Sequence, residues 1–294
     1  MKLANFTYHG RSSVGLVGPS GIVDLFPTAQ QPVVIEHLLR DWPASFADLE
    51  MRGRSGQAID LASVHLQAPV RNPSKFLAIA ANFQSHIDEV KAAIPEYVPP
   101  TSQRWFSKLP SCINGPFDPI LLPPETSQLD WEVELAIVIG RRCRRVTVAD
   151  APAVIAGYTI ANDISARDWQ RRSPTIMLGK SFDTHGPLGP WLVTPDEIGD
   201  PHELEMRCLV NGVVMQTGST AEMIDNCYAQ IAYLSTVATL EPGDVIATGT
   251  PLGTGSLRKP PIFLKAGDVV RCEIERIGHI EAVVEREDPA ATEP

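Results

Sequence analysis

The chain has 294 residues, 44% of them hydrophobic and 20% charged, which suits a folded protein of one large or two modest domains. A net charge of -10 and a pI near 5.2 create a field that repels nucleic acid and anionic membrane, so neither is an expected partner. The cysteines at 112, 143, 208, 227 and 272 form no C-x-x-C pair, and no apolar run approaches the roughly 20 residues of a membrane-crossing helix. A cytoplasmic protein with reduced thiols is the expectation.

The opening "MKLANFTYHG" reads as a strand rather than a signal peptide. "LANFTY", "SVGLV" and "GIVDLF" are short strands split by the turn sequences "HGR" and "GPSG", and a helix follows near "IEHLLRDW". Residues 1–70 are therefore expected to form a small N-terminal α+β domain and 71–294 the main body, which "FLAIAANF" opens as a buried strand. Between 87 and 110, four prolines and no steady apolar period predict a long loop, either a lid or a plain surface excursion.

Residues 129–140, "LDWEVELAIVIG", end in a β-branched apolar run typical of a strand buried on both faces, and the basic "RRCRR" after it reads as a solvated loop. "AGYTIAND" is another apolar strand, and "EMRCLVNGVVMQTG" is a hairpin turning at Asn211-Gly212. "STAEMIDNCYAQIAYLSTVATL" carries the strongest helical pattern, with Ser219 and Glu222 placed for a capping box and Ile224, Tyr228, Ile231 and Leu234 or Ser235 on one face. "GDVIATGTP" and "GDVVRCEIERIGHIEAVV" add strands, the second a terminal hairpin. Strands outnumber helices, so the expected fold is mixed β/α and mostly β.

Glu132 and Glu134 stand two apart at the start of the apolar strand and so share a face. Like charges side by side require compensation. Either neighbouring lysine or arginine supplies it, or the pair joins Asp163, at the end of "AGYTIAND", around a hard divalent cation such as magnesium or calcium. No histidine or cysteine accompanies these acids, which disfavours zinc. His86 and Glu89 lie at i and i+3 if a helical turn begins at "NFQSHIDEV", and a carboxylate beside an imidazole builds a water-activating base. Elsewhere such a pair is an incidental surface contact. Lys180 follows Gly179 in an apolar approach, fit either to stabilise an oxyanion or to pair with a nearby acid. "ATGTPLGTG" at 247–255 lacks the Lys-Ser/Thr ending and helix of a nucleotide loop, so its amides and Thr250 are expected to line a small-molecule pocket.

"WEVELAIVIG", "AGYTIANDISARDWQ", "LGKSFDTHGPLGPW", "LVNGVVMQ" and "PGDVIATGTPLGTG", in that order, resemble the fumarylacetoacetate hydrolase family across residues 72 to 285. The resemblance implies a β-roll-like catalytic domain, commonly a homodimer, behind a small variable N-terminal domain. It implies a magnesium, manganese or calcium ion held by Glu132, Glu134 and Asp163, with His86 and Glu89 as the dyad and Lys180 beside the metal. Gln170 and Thr250 fall at substrate-contacting positions. The expected reaction is hydrolysis of a carbon–carbon bond in an acylpyruvate or similar 2,4-dioxo acid. Decarboxylation, isomerisation or hydration of 2-oxo diacids through the same enolate is the alternative. Two positions depart from the pattern: Phe83 stands where many members have tyrosine, and Ile176 where an aromatic is common, and both are expected on the pocket wall.

Overall fold

A computed structural model of the chain describes residues 1–42 and 46–288. Strands β1 (Lys2–Tyr8), β2 (Arg11–Gly18) and β3 (Gly21–Asp24) form an antiparallel meander, followed by helices α1 (Ile35–Leu39) and α2 (Phe46–Ser55). The main body contributes β4 (Phe76–Ala80), α3 (Gln84–Ala93), β5 (Arg104–Lys108), β6 (Val133–Ile139), β7 (Ile155–Asn162) and β8 (Gly186–Val193). It continues with β9 (Glu205–Val210), β10 (Val213–Ser219), α4 (Cys227–Val237), β11 (Val245–Ala247), β12 (Val269–Ile274) and β13 (Gly278–Arg286).

Two sheets result. The larger runs from β3 through β2, β1, β8, β7, β6, β11 and β4 to β5, and the smaller is ordered β10-β9-β12-β13. The N-terminal meander joins the larger sheet directly, with Lys2 opposite Val193 and Leu3 opposite Leu192. β6 is buried along its whole length. Leu135, Ile137 and Ile139 face a core shared with Met206, Cys208 and Cys272 of the smaller sheet, while Ala136 and Val138 face one shared with Val14, Leu25 and Ile35. Each buried aliphatic side chain contributes roughly 1.5–3 kcal/mol, so the strand that carries the glutamates is fixed from both sides.

Two local expectations need correction. The 87–110 segment is not one long loop: α3 and β5 occupy half of it, and the stretch without helix or strand between them is 94–103. Pro95, Pro99 and Pro100 all fall between these elements, where they end the helix rather than forbid it. The helical pattern after Ser219 is also shorter than expected. The Ser219–Glu222 capping box forms, but it closes a single tight turn at Thr220–Glu222. The long helix starts at Cys227, where the Asn226 side chain caps the Tyr228 and Ala229 amides. Pairing of Met223 with Phe83, and of the Ile224 amide with the Asn82 carbonyl, holds the intervening residues extended and leaves Ile224 exposed. The Asn211-Gly212 hairpin forms as expected, both residues taking positive φ of 52° and 77°.

Candidate active site

The two central strands bring the acids together. Glu132 and Glu134 project from the start of β6, and Asp163 follows the last residue of β7. The Asp163 amide donates to the Glu132 carbonyl at 2.9 Å, which locks the two strand ends in register. Carboxylate oxygens of the three residues lie within 4.8 Å of one another, and all three side chains are buried.

Lys180 lies between two of these acids. Its ammonium lies 2.6 Å from Glu132 and 2.6 Å from Asp163. Arg167 reaches the other Glu132 oxygen at 2.6 Å and Asp130 at 2.8 Å, and Lys108 holds the other Asp163 oxygen at 2.7 Å. Lys180 thus bridges Glu132 to Asp163 rather than Glu132 to Glu134. Among the described residues no lysine or arginine pairs with Glu134, whose carboxylate accepts only the Gly249 amide at 2.8 Å. The electrostatics follow. Burial raises the Glu132 pKa, but Arg167 and Lys180 outweigh it and bring it down to about 2. Burial and the charges of Asp163 and Glu132 push Glu134 well above the usual carboxylate range. Burial lowers the Lys180 pKa, yet Asp163 and Glu132 reverse this and raise it.

This arrangement fits a hard divalent cation. Four buried carboxylates, Asp130, Glu132, Glu134 and Asp163, face three buried cations, Lys108, Arg167 and Lys180. Glu134 is the carboxylate left without a salt-bridge partner among the described residues; burial and its acidic neighbours disfavour its anion, and it stands beside oxygens close enough to share an ion. An all-oxygen donor set is the chemistry of magnesium, manganese or calcium.

His86 and Glu89 both lie on α3, with Nδ1 3.3 Å from a Glu89 oxygen. Glu89 is itself fixed by the Gly253 amide, 3.0 and 3.1 Å from its two oxygens. The carboxylate thereby orients the imidazole and leaves Nε2 as the free ring nitrogen. His86, the three acids, Arg167, Lys180, Gln170, Thr250 and Ile176 line one cavity of about 80 Å³. Gln170 accepts from Arg167 at 2.9 Å. Thr250 donates to the Val133 carbonyl at 2.9 Å and accepts from Gln216 at 2.8 Å, so its hydroxyl is engaged within the protein.

All eight residues selected from the sequence therefore surround this space, Glu89 from behind His86. The two departures separate. Ile176 lines the cavity in a left-handed backbone conformation (φ 53°), whereas Phe83 is fully buried in the core beneath and does not reach the wall. Phe83 precedes α3, where its side chain turns inward against the smaller sheet's core instead of outward with His86. Sequence reasoning missed Lys108, Asp130 and Gln216, and gave Arg167 no role. Asp130 accepts from the Trp131, Gly255 and Ser256 amides as well as from Arg167, so it ties the glycine-rich loop to the acid strand.

Residues 75–285 match the C-terminal domain of fumarylacetoacetate (FAA) hydrolase. The chain is 43% identical over 263 residues to the mitochondrial oxaloacetate tautomerase of Rattus norvegicus, covering 88% of this chain and 82% of that one. It is 47% identical over 221 residues to a mitochondrial oxaloacetate tautomerase of Homo sapiens, covering 74% and 69%. Among solved structures, a fumarylacetoacetate hydrolase from Exiguobacterium antarcticum superposes with a TM-score of 0.85 at 35% identity, over 98% of this chain and 100% of that one. A maleylpyruvate hydrolase from Sphingobium, in complex with manganese and pyruvate, superposes with a TM-score of 0.82 at 31% identity over the same shares. The relatives' names place them in mitochondria, a compartment other than the cytoplasm expected from composition. No helix among the described residues is long and apolar enough to cross a membrane.

Proposed function

Because the chain belongs to the fumarylacetoacetate hydrolase family, we propose that it is a divalent-metal-dependent enzyme that interconverts a small 2-oxo dicarboxylic acid, oxaloacetate in the first instance, with its enol. One observation carries this reading. A carboxylate-oriented histidine, three clustered acids and a buried lysine all open on the same small cavity. Relatives at 43% and 48% identity are named oxaloacetate tautomerases.

Glu132, Glu134 and Asp163 would hold the metal. A bound magnesium or manganese ion supplies Lewis acidity toward the vicinal carboxylate and ketone oxygens of such an acid. The protein's own residues do the rest. His86, held in one orientation by Glu89, moves the proton at the carbon beside the ketone through its free Nε2. Lys180 and Arg167 keep positive charge where negative charge grows on oxygen. Gln170 and Thr250 shape the wall. Burial of the three acids, Arg167, Lys180 and Thr250, with His86 and Gln170 half-buried, limits bulk water and strengthens each electrostatic contact.

A second reading uses the same dyad. His86 would take a proton from water as it attacks the distal ketone of an acylpyruvate, and the carbon–carbon bond would break to release an enolate. The likeness to a maleylpyruvate hydrolase favours it. The test stirs chelator-stripped protein with magnesium or manganese and follows two substrates: decay of enol-oxaloacetate by ultraviolet absorbance, and acylpyruvate products by NMR. Metal-dependent acceleration of enol decay, lost in His86→Ala, is the expected result. A new pair of acids from acylpyruvate with no effect on the enol would replace tautomerisation with hydrolysis. Absence of both would refute the proposal.

A further inference from the structure

The two metal-directed glutamates flank Val133, which is paired with Asn162 of β7 on one side but has no strand on the other. β11 covers β6 only from Ala136 to Val138. On that same open side the Val133 amide and carbonyl face no strand. Gln216, from β10 of the other sheet, fills the gap. Its Oε1 accepts the Val133 amide at 3.0 Å, while its Nε2 donates to the Thr250 hydroxyl at 2.8 Å and to the Pro251 carbonyl at 2.9 Å. Thr250 in turn donates to the Val133 carbonyl at 2.9 Å. Two side chains therefore stand in for a missing strand. Gln216 is 1% exposed and uses its carbonyl and both amide hydrogens.

We infer that Gln216 is a positioning residue for the metal centre, holding Val133 so that Glu132 and Glu134 converge. This rests on the reading of Glu132, Glu134 and Asp163 as metal ligands. Gln216 touches neither carboxylate, so it acts only through the backbone between them. A small backbone rotation at Val133 would swing the two carboxylates apart, because side chains two apart on a strand move together with the peptide units joining them. The amide of Gln216 cannot be replaced by bulk alone: a side chain without it strands the buried Val133 N–H and the Pro251 carbonyl and takes a donor from the Thr250 hydroxyl.

The test is calorimetric titration of manganese into the chelator-stripped full chain, with Gln216→Met, Gln216→Asn and Cys208→Ala. Cys208 lies directly opposite Gln216 on β9 and is fully buried, so its truncation perturbs the same sheet without touching β6's hydrogen bonds. Both Gln216 variants should bind manganese about 10–100-fold more weakly, with turnover recovering as manganese is raised. Cys208→Ala should bind within about twofold of wild type. Two variants guard against one failing to fold. Wild-type affinity in a folded Gln216 variant overturns the inference, as does an equal loss in Cys208→Ala, which would make the effect one of general destabilisation. If wild type takes up no more manganese than Glu134→Gln, the metal reading itself fails and the inference falls with it.

Discussion

Lys108→Met tests whether the acid cluster is held by charge. The Lys108 ammonium is buried, donates to Asp163 at 2.7 Å and to the His185 carbonyl at 3.0 Å, and also bonds the Lys180 carbonyl. At an effective dielectric of about 20, an ion pair at this separation attracts with about 6 kcal/mol before desolvation is subtracted. Removing one partner of a buried pair costs about 3–5 kcal/mol, because the other charge stays behind. Asp163 would keep only Lys180, which already serves Glu132. For a chain of this size, at roughly 2–3 °C per kcal/mol, the melting midpoint of chelator-stripped protein should fall by about 10 °C. The same variant should be raised more by added manganese than wild type is, since its Asp163 is under-compensated. Arg142→Met is the control: its pair with Glu241 is exposed and worth less than about 1 kcal/mol. A Lys108→Met midpoint as close to wild type as the control's would refute the charge argument.

Three shorter predictions follow from the same site. Glu134→Gln keeps an acceptor for the Gly249 amide and replaces a carboxyl whose anion burial, Asp163 and Glu132 already disfavour; the metal-free variant should be at least as stable as wild type in urea yet give no manganese heat, and a destabilised or still-binding variant contradicts this. His185 is buried, its Nε2 donates to the Leu121 carbonyl at 2.9 Å, and burial depresses its pKa from 6.5 to about 3. The unfolded chain therefore binds the extra proton first, so this stabilisation is full above pH 6.5 and is lost as pH falls toward 3, at about 1.4 kcal/mol per pH unit. Acid unfolding of His185→Phe should show a shallower slope in that window, and an unchanged slope would assign the acid sensitivity elsewhere. Phe83→Tyr adds a hydroxyl in a fully buried site and should cost about 1–3 kcal/mol in thermal unfolding without altering KM; a changed KM would put residue 83 on the pocket wall after all.

The acids were legible because their chemistry contradicts their setting. Two glutamates running into "LAIVI" demand an explanation that the strand alone cannot supply, and Asp163 ends the neighbouring apolar run. His86 and Glu89 were legible by spacing, although the helix that carries them was obscured by the prolines that terminate it. Lys108 was not, since "RWFSKLP" fell within the stretch read as a loop. Only the pairing of β5 with β4, which sets Lys108 opposite Phe76, turns its side chain inward. Gln216 was hidden for a related reason. It belongs to a hairpin whose neighbours Val214 and Thr217 are exposed, and nothing local reveals that the two sheets meet at its amide. Spacing within one segment reports which residues share a face; it does not report what that face meets.

Lys180 lies between Glu132 and Asp163 as a tethered competitor for any ion that enters. A free cation must displace or share an ammonium that is always present, whose effective concentration the fold sets rather than the cell. On the proposed function, occupancy would be set against this fixed internal charge, and the rate would follow the pool of free magnesium or manganese around the protein.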